Sequence, residues 1–188
     1  MIISLLCNKP WLGGVSPTFA LIFQYLSSAE CGVTEAPVDV ERLAEYLGAT
    51  IQPAPIEDNV SGMVFKHKGR YIIGINSTHP ETRKRFTIAH EMGHIVLHQL
   101  DQVHVDKQFP VKLRDDISSQ AIDPHEIEAN AFAAALLMPE AMLKNDISEF
   151  PEIDSENEDE LAELANKYGV STKAMSFRLM NLGFVTPV

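Results

Sequence analysis

Two cysteines in 188 residues, Cys7 and Cys31, are too few for a disulfide framework, and neither stands near the histidines as a thiolate ligand. Basic residues are also scarce. The 15 Lys and Arg against 26 Asp and Glu leave a formal charge of -11, which argues against a protein whose main work is gripping phosphate backbones. Crossing a bilayer takes roughly 20 apolar residues in a row, and no stretch of the chain approaches that. The apolar opening Met1-Ile2-Ile3-Ser4-Leu5-Leu6 has no basic flank before it and no convincing cleavage site before Trp11, so an export signal is not expected. There is no internal repeat. These absences predict a cytoplasmic protein in a reducing compartment, with no membrane partner and no direct nucleic-acid partner.

What is present is an ordinary globular composition, 45% hydrophobic and 22% charged, long enough for one compact core with a small appendage. Helices are expected over 17–28 and 38–48, with Leu43 and Leu47 on one face and Gly48 as a stop. Residues 60–66 and 69–76 read as a hairpin about His67-Lys68-Gly69. Thr78-His79-Pro80-Glu81 has capping-box spacing, so a helix is expected from there to about 98. The polar, aperiodic stretch 99–124 reads as a long loop, a candidate lid. Asp123-Pro124 opens a helix over 126–138 that Pro139 ends. The expected divisions are an N-terminal segment with a helix (1–37), a core (38–145), an acidic linker (146–160) and a C-terminal helical hairpin packed on the core (161–188).

The chemistry concentrates in His90-Glu91-Met92-Gly93-His94. On a helix, residues four apart project from one side, so His90 and His94 can each give a ring nitrogen to one ion. Glu91 between them is placed to act as a base, the arrangement of a zinc peptidase. A catalytic zinc takes three protein ligands and leaves one position for water, so a third ligand is needed. Leu97 and Leu100 stand where one longer zinc pattern needs its glycine and third histidine. His98 lies about 12 Å along the axis from His90 by the helical rise, too far to share an ion, and is expected at the helix end behind a ligand. A carboxylate from the next helix is the better candidate. Glu126 shares a face with Asn130, which can orient a ligand histidine from behind, whereas Glu128 points about 160° away. Both stay open, since Asp123 and Glu126 also have capping-box spacing. His104 and His125, in or beside the long loop, are candidate stabilisers of a tetrahedral intermediate.

Taken together, the HExxH string with His98, Glu126-x-x-Ala129-Asn130-x-Phe132-Ala133, Leu136-Leu137-Met138-Pro139 and the preceding Arg85-Phe86-Thr87-Ile88-Ala89 resemble the ImmA/IrrE family of zinc-dependent endopeptidases. The resemblance runs from about residue 38 to 183. It implies an α+β fold: a zincin-like minimal metallopeptidase core, with a small sheet packed on the HExxH helix and helix-turn-helix-like helices at the C-terminus. It also implies zinc on His90, His94 and Glu126, with Glu91 as the base. The implied partner is a protein substrate, a helix-turn-helix transcriptional repressor or antitoxin-like regulator of a mobile element or stress response. Because the chain has no room for a full repressor domain before Val38, that partner is expected in trans.

Two rival readings have their own residues. Ala165-x-x-x-Gly169-Val170-Ser171-x-x-x-Met175 has helix-turn-helix spacing, which makes a DNA-binding regulator one alternative. Against it, residues 172–182 offer only Lys173 and Arg178 as cations, and 156–163 are acidic. The other alternative is a catalytically silent, zinc-stabilised sensor or interaction module, for which an intact Glu91 would be superfluous. The strand at 71–76 is a further candidate, as an open edge for a substrate backbone.

Overall fold

A computed structural model of the chain describes residues 33, 35–57, 59–98, 103–107, 123–149 and 158–185. The helix expected over 17–28 and most of the loop expected over 99–124 lie outside these residues. In chain order the elements are α1 (Val40–Tyr46), β1 (Ala49–Ala54), β2 (Val60–His67), β3 (Arg70–Asn76), α2 (Glu81–Leu97), β4 (His104–Lys107), α3 (Pro124–Leu137), α4 (Glu140–Glu149), α5 (Glu158–Tyr168) and α6 (Thr172–Asn181).

The hairpin forms where its turn chemistry puts it. Lys68 and Gly69 both take positive φ, 48° and 81°, as a two-residue turn between right-twisted strands requires. His67 therefore pairs with Arg70, and the antiparallel register runs to Gly62 opposite Ile75. The sheet order is β1-β3-β2-β4, with β1 parallel to β3 and β4 antiparallel to β2. This corrects the expectation that the 71–76 strand offers a free edge. β3 is interior, bonded on one side to β1 and on the other to β2, so its backbone is already used. β1 was not expected because its residues are mostly exposed and carry little alternation.

Helix α2 begins two residues later than a capping box at Thr78 would start it. Pro80 is the N-cap residue and no side chain caps the end. Thr78 instead donates its hydroxyl to Asn76 Oδ1 at 2.7 Å. Asn76 is fully buried and donates through Nδ2 to the carbonyls of Ile56 and Val60, so it ties the end of β3 to the β1–β2 connection. Buried amide groups keep such partners because an unmade bond costs on the order of 1–3 kcal/mol, and here that need outcompetes the cap.

One face of α2 buries Ile88, Ala89, Met92 and Ile95 in the same core as Val64 and Ile73 of the sheet, and Phe132, Ala133, Leu136 and Leu137 of α3 join them. The two helices meet at small residues. A Cβ added to Gly93 would lie 3.0 Å from Ala129 Cα and 3.2 Å from its carbonyl oxygen. Asp123 caps α3 by accepting from His125 N at 2.9 Å, and Pro124 takes the first turn, where its missing N–H is not needed.

The segment read as an acidic linker from 146 begins inside α4, which runs to Glu149 and buries Leu143. The C-terminal pair α5–α6 turns at Gly169, with φ of 63°, and Ser171 caps α6 by accepting from Ala174 N. Leu164, Tyr168, Met175 and Leu179 of this pair belong to the one core. Arg85 of α2 fastens it further, donating to the carbonyls of Gly169 and Val38 at 3.1 and 2.8 Å. Arg178, one of the two cations available to a DNA-reading helix, is spent on the Met138 carbonyl at 3.1 Å.

Candidate metal centre

Three elements bring four donors to one point. His90 and His94 sit on successive turns of α2, Glu126 on the first turn of α3, and His104 opens the edge strand β4. One ligand atom from each lies within 4.8 Å of all the others. His90, His94 and Glu126 are buried, at 2%, 1% and 9% exposure. His104 is less enclosed, with 23% of its side chain exposed.

The hydrogen bonds behind the histidines decide their tautomers. Asn130 Oδ1 stands 3.0 Å from His90 Nδ1 and can only accept there, so the His90 proton is on Nδ1 and Nε2 carries a bare lone pair. Behind His94 the relay is longer. Glu128 Oε2 accepts from His98 Nε2 at 2.9 Å, which leaves His98 Nδ1 to accept from His94 Nδ1 at 3.1 Å. His94 Nε2 is therefore bare as well. The two bare nitrogens lie 3.1 Å apart, each facing the Glu126 carboxylate at 3.3 and 3.4 Å. Three electron-rich atoms in mutual contact repel unless a cation sits between them.

The distances fit that cation. Four ligands at about 2.0–2.1 Å from a tetrahedral zinc are about 3.3 Å from one another. Protonation of His94 is opposed by the same surroundings. Burial pushes the His94 pKa down to about 4, with the neighbouring His104 and His90 acting in the same direction. Neutral imidazole and ionised carboxylate are the forms a divalent metal binds.

Glu91 follows His90 on α2 but turns under the sheet. It is fully buried, and a Cβ added to Gly62 of β2 would come 3.4 Å from its Oε1. Of the other candidates, His98 and Asn130 stand behind the two α2 histidines. Glu128 faces His98 and not the four-donor cluster. His125 stacks near His98, with ring centroids 4.3 Å apart, and its Nδ1 is 3.6 Å from Asp123; it is not among the four donors.

A cleft of about 580 Å³ opens beside His90 and Glu126 and runs between α2, α3 and α6, past Phe86, Ala134, Phe177 and Arg178. The contribution of α6 to its wall is invisible in the sequence, because it rests on a contact between segments far apart in the chain.

The family model Peptidase_M78, described as the IrrE N-terminal-like domain, matches residues 44–180. A protein of Bacillus phage phi105, described as uncharacterized immunity region protein 2, is 29% identical over 99 residues. That match covers 52% of this chain and 57% of the phage protein, so the chain spans a little over half the length of this relative.

Proposed function

We propose, from the premise that this chain belongs to the Peptidase_M78 family, that it is a zinc metallo-endopeptidase cutting one specific regulatory protein. The observation that carries the reading is the pair of His90 and His94 Nε2 atoms, 3.1 Å apart and each facing the Glu126 carboxylate. In this reading His90, His94 and Glu126 hold the metal, Asn130 and His98 fix the ring orientations, and Glu91 is the base. A zinc ion held there supplies a Lewis acid for a peptide carbonyl and brings the pKa of a bound water to about 7.

The chain's own groups do the remainder. Burial of Glu91 beside β2 excludes bulk water from its carboxylate, and in this reading that carboxylate takes a proton from the attacking water and passes it to the leaving amide nitrogen. His94 stays neutral because burial lowers its pKa, so it does not compete for that proton. The cleft along α6 takes substrate side chains next to the scissile bond.

The phage immunity-region relative supports a role in the regulation of a phage or mobile element, with a helix-turn-helix repressor or antitoxin-like protein, supplied in trans, as the substrate. The test compares wild type with Glu91→Gln in cells that carry the neighbouring regulatory genes, sequencing newly formed protein N-termini. Glu91→Gln should retain one zinc per chain and lose cleavage by at least about 100-fold, the usual scale for a general base. Equal cleavage by the two proteins removes Glu91 from the chemistry.

A further inference from the structure

A peptidase metal needs an open position, yet the cluster holds four donors and not three. We infer that His104 is a fourth protein ligand that closes the metal site, so that the chain in this conformation is latent. The inference rests on the metal-binding reading above and adds a regulatory state to it. Its ground is geometric. His104 Nε2 is buried 3.1 Å from Glu126 Oε1 and makes no hydrogen bond there. A nitrogen that close and without a hydrogen-bonding alignment is placed as a ligand atom is, along an edge of the roughly 3.3 Å tetrahedron that zinc imposes. The His104 ring also lies on His94, with centroids 3.8 Å apart and planes tilted by 30°. Four protein ligands fill a tetrahedral zinc as they do in a structural site, with no place for a reacting water.

The four donors are not held equally. His90, His94 and Glu126 belong to α2 and α3, whose contact is part of the core. His104 belongs to a four-residue strand at the end of the sheet, paired with β2 through Val64, Met63, Gly62 and Val60. That ladder is irregular between Val60 and Gly62. Releasing it loses a few backbone bonds, each worth about 0.5–1.5 kcal/mol net, whereas releasing any of the other three would unpack helices. β4 is thus the element that can leave, and its place on β2 is one that an extended substrate backbone fits. Substrate that pairs with β2 in place of β4 withdraws His104 and opens the metal in the same act.

Cobalt(II) in place of zinc reports the coordination directly through its visible absorption, and acetohydroxamate probes for an open position. The cobalt form of the full chain should be four-coordinate and unchanged by millimolar acetohydroxamate. His104→Ala should respond to it and should bind zinc at least about 10-fold more weakly. His104→Phe keeps a ring against His94 but no ligand atom, and should lose zinc affinity as His104→Ala does. An equal response to acetohydroxamate in wild type and His104→Ala overturns the inference, as does wild-type zinc affinity in His104→Phe. So does a fall in cleavage in His104→Ala with an unchanged cobalt spectrum, which would make the imidazole a donor to the reacting carbonyl. Failure of the wild-type chain to bind zinc or cobalt at pH 7 would instead remove the metallopeptidase reading on which this one stands.

Discussion

At the scale of single residues, the site separates two glutamates that differ by only two positions. Glu126 faces the bare nitrogens of His90 and His94, while Glu128 faces His98. Glu126→Ala should therefore abolish zinc binding measured by metal analysis. Glu128→Ala should retain it with affinity lowered roughly 10- to 100-fold, as when a ligand histidine loses its orienting partner; the reverse order of the two variants would move the ligand role to Glu128. The Tyr168 hydroxyl is buried and donates to Asp146 Oδ2 at 2.8 Å, and its pKa is raised, first by burial and then by that bond. A folded-state pKa above the unfolded value of about 10 gives stability that is complete below pH 10 and is lost as the pH climbs beyond it. Tyr168→Phe should be less stable than wild type by about 1 kcal/mol at pH 8. Above pH 10 urea midpoints of the two proteins should converge; a gap that stays constant with pH would show that the tyrosine pKa is not coupled to folding.

At the scale of elements, the close packing of β2 on α2 depends on a glycine. A Cβ at Gly62 would lie 2.4 Å from Thr87 Cγ2 and 2.9 Å from Gly74 O, distances that force movement. Gly62→Ala should destabilise the protein by about 1–3 kcal/mol, the range for overpacking. It should also lower cleavage more than it lowers stability, because Glu91 Oε1 lies beyond the same glycine. Adding Thr87→Ser removes the methyl and should recover part of the stability, leaving the Gly74 carbonyl contact. A double-mutant cycle by urea denaturation measures that coupling, and strict additivity would mean that the strand shifts away from Thr87 altogether. The hairpin, α2 and α3 were legible in the sequence because each has a local cause: paired turn residues, a long helical pattern, and an Asp-Pro start. Strands β1 and β4 and helix α4 were not. The strands are short edge elements held by long-range pairing, and the last turn of α4 runs into residues 146–149, whose polar, acidic character reads as the start of a linker.

At the scale of the molecule, the C-terminal pair α5–α6 is both part of the core and a wall of the cleft. Leu164, Tyr168, Met175 and Leu179 are buried with the residues of α2 and α3, Arg85 of α2 donates to the Gly169 carbonyl at the turn of the pair, and Arg178 of α6 donates to the Met138 carbonyl. Deleting residues 158–188 should therefore not leave a stable metallopeptidase core. Loss of cooperative unfolding and of zinc retention on a sizing column are the expected outcomes. A truncated chain that still folds and holds zinc would show that the C-terminal helices are an independent appendage.

The sequence alone determined what is local: the HExxH pair on a helix, a carboxylate available on the next helix, the hairpin, and a charge balance unsuited to DNA. Those follow from helical spacing, turn geometry and composition, which act between neighbours in the chain. Tertiary structure decided what depends on which distant segments meet. It set Glu126 against the two histidines and Glu128 behind them, drew His104 in as a fourth donor from an edge strand, buried both edges of β3, and lined the cleft with α6. Each of these is the outcome of packing one apolar core, and no spacing along the chain encodes it.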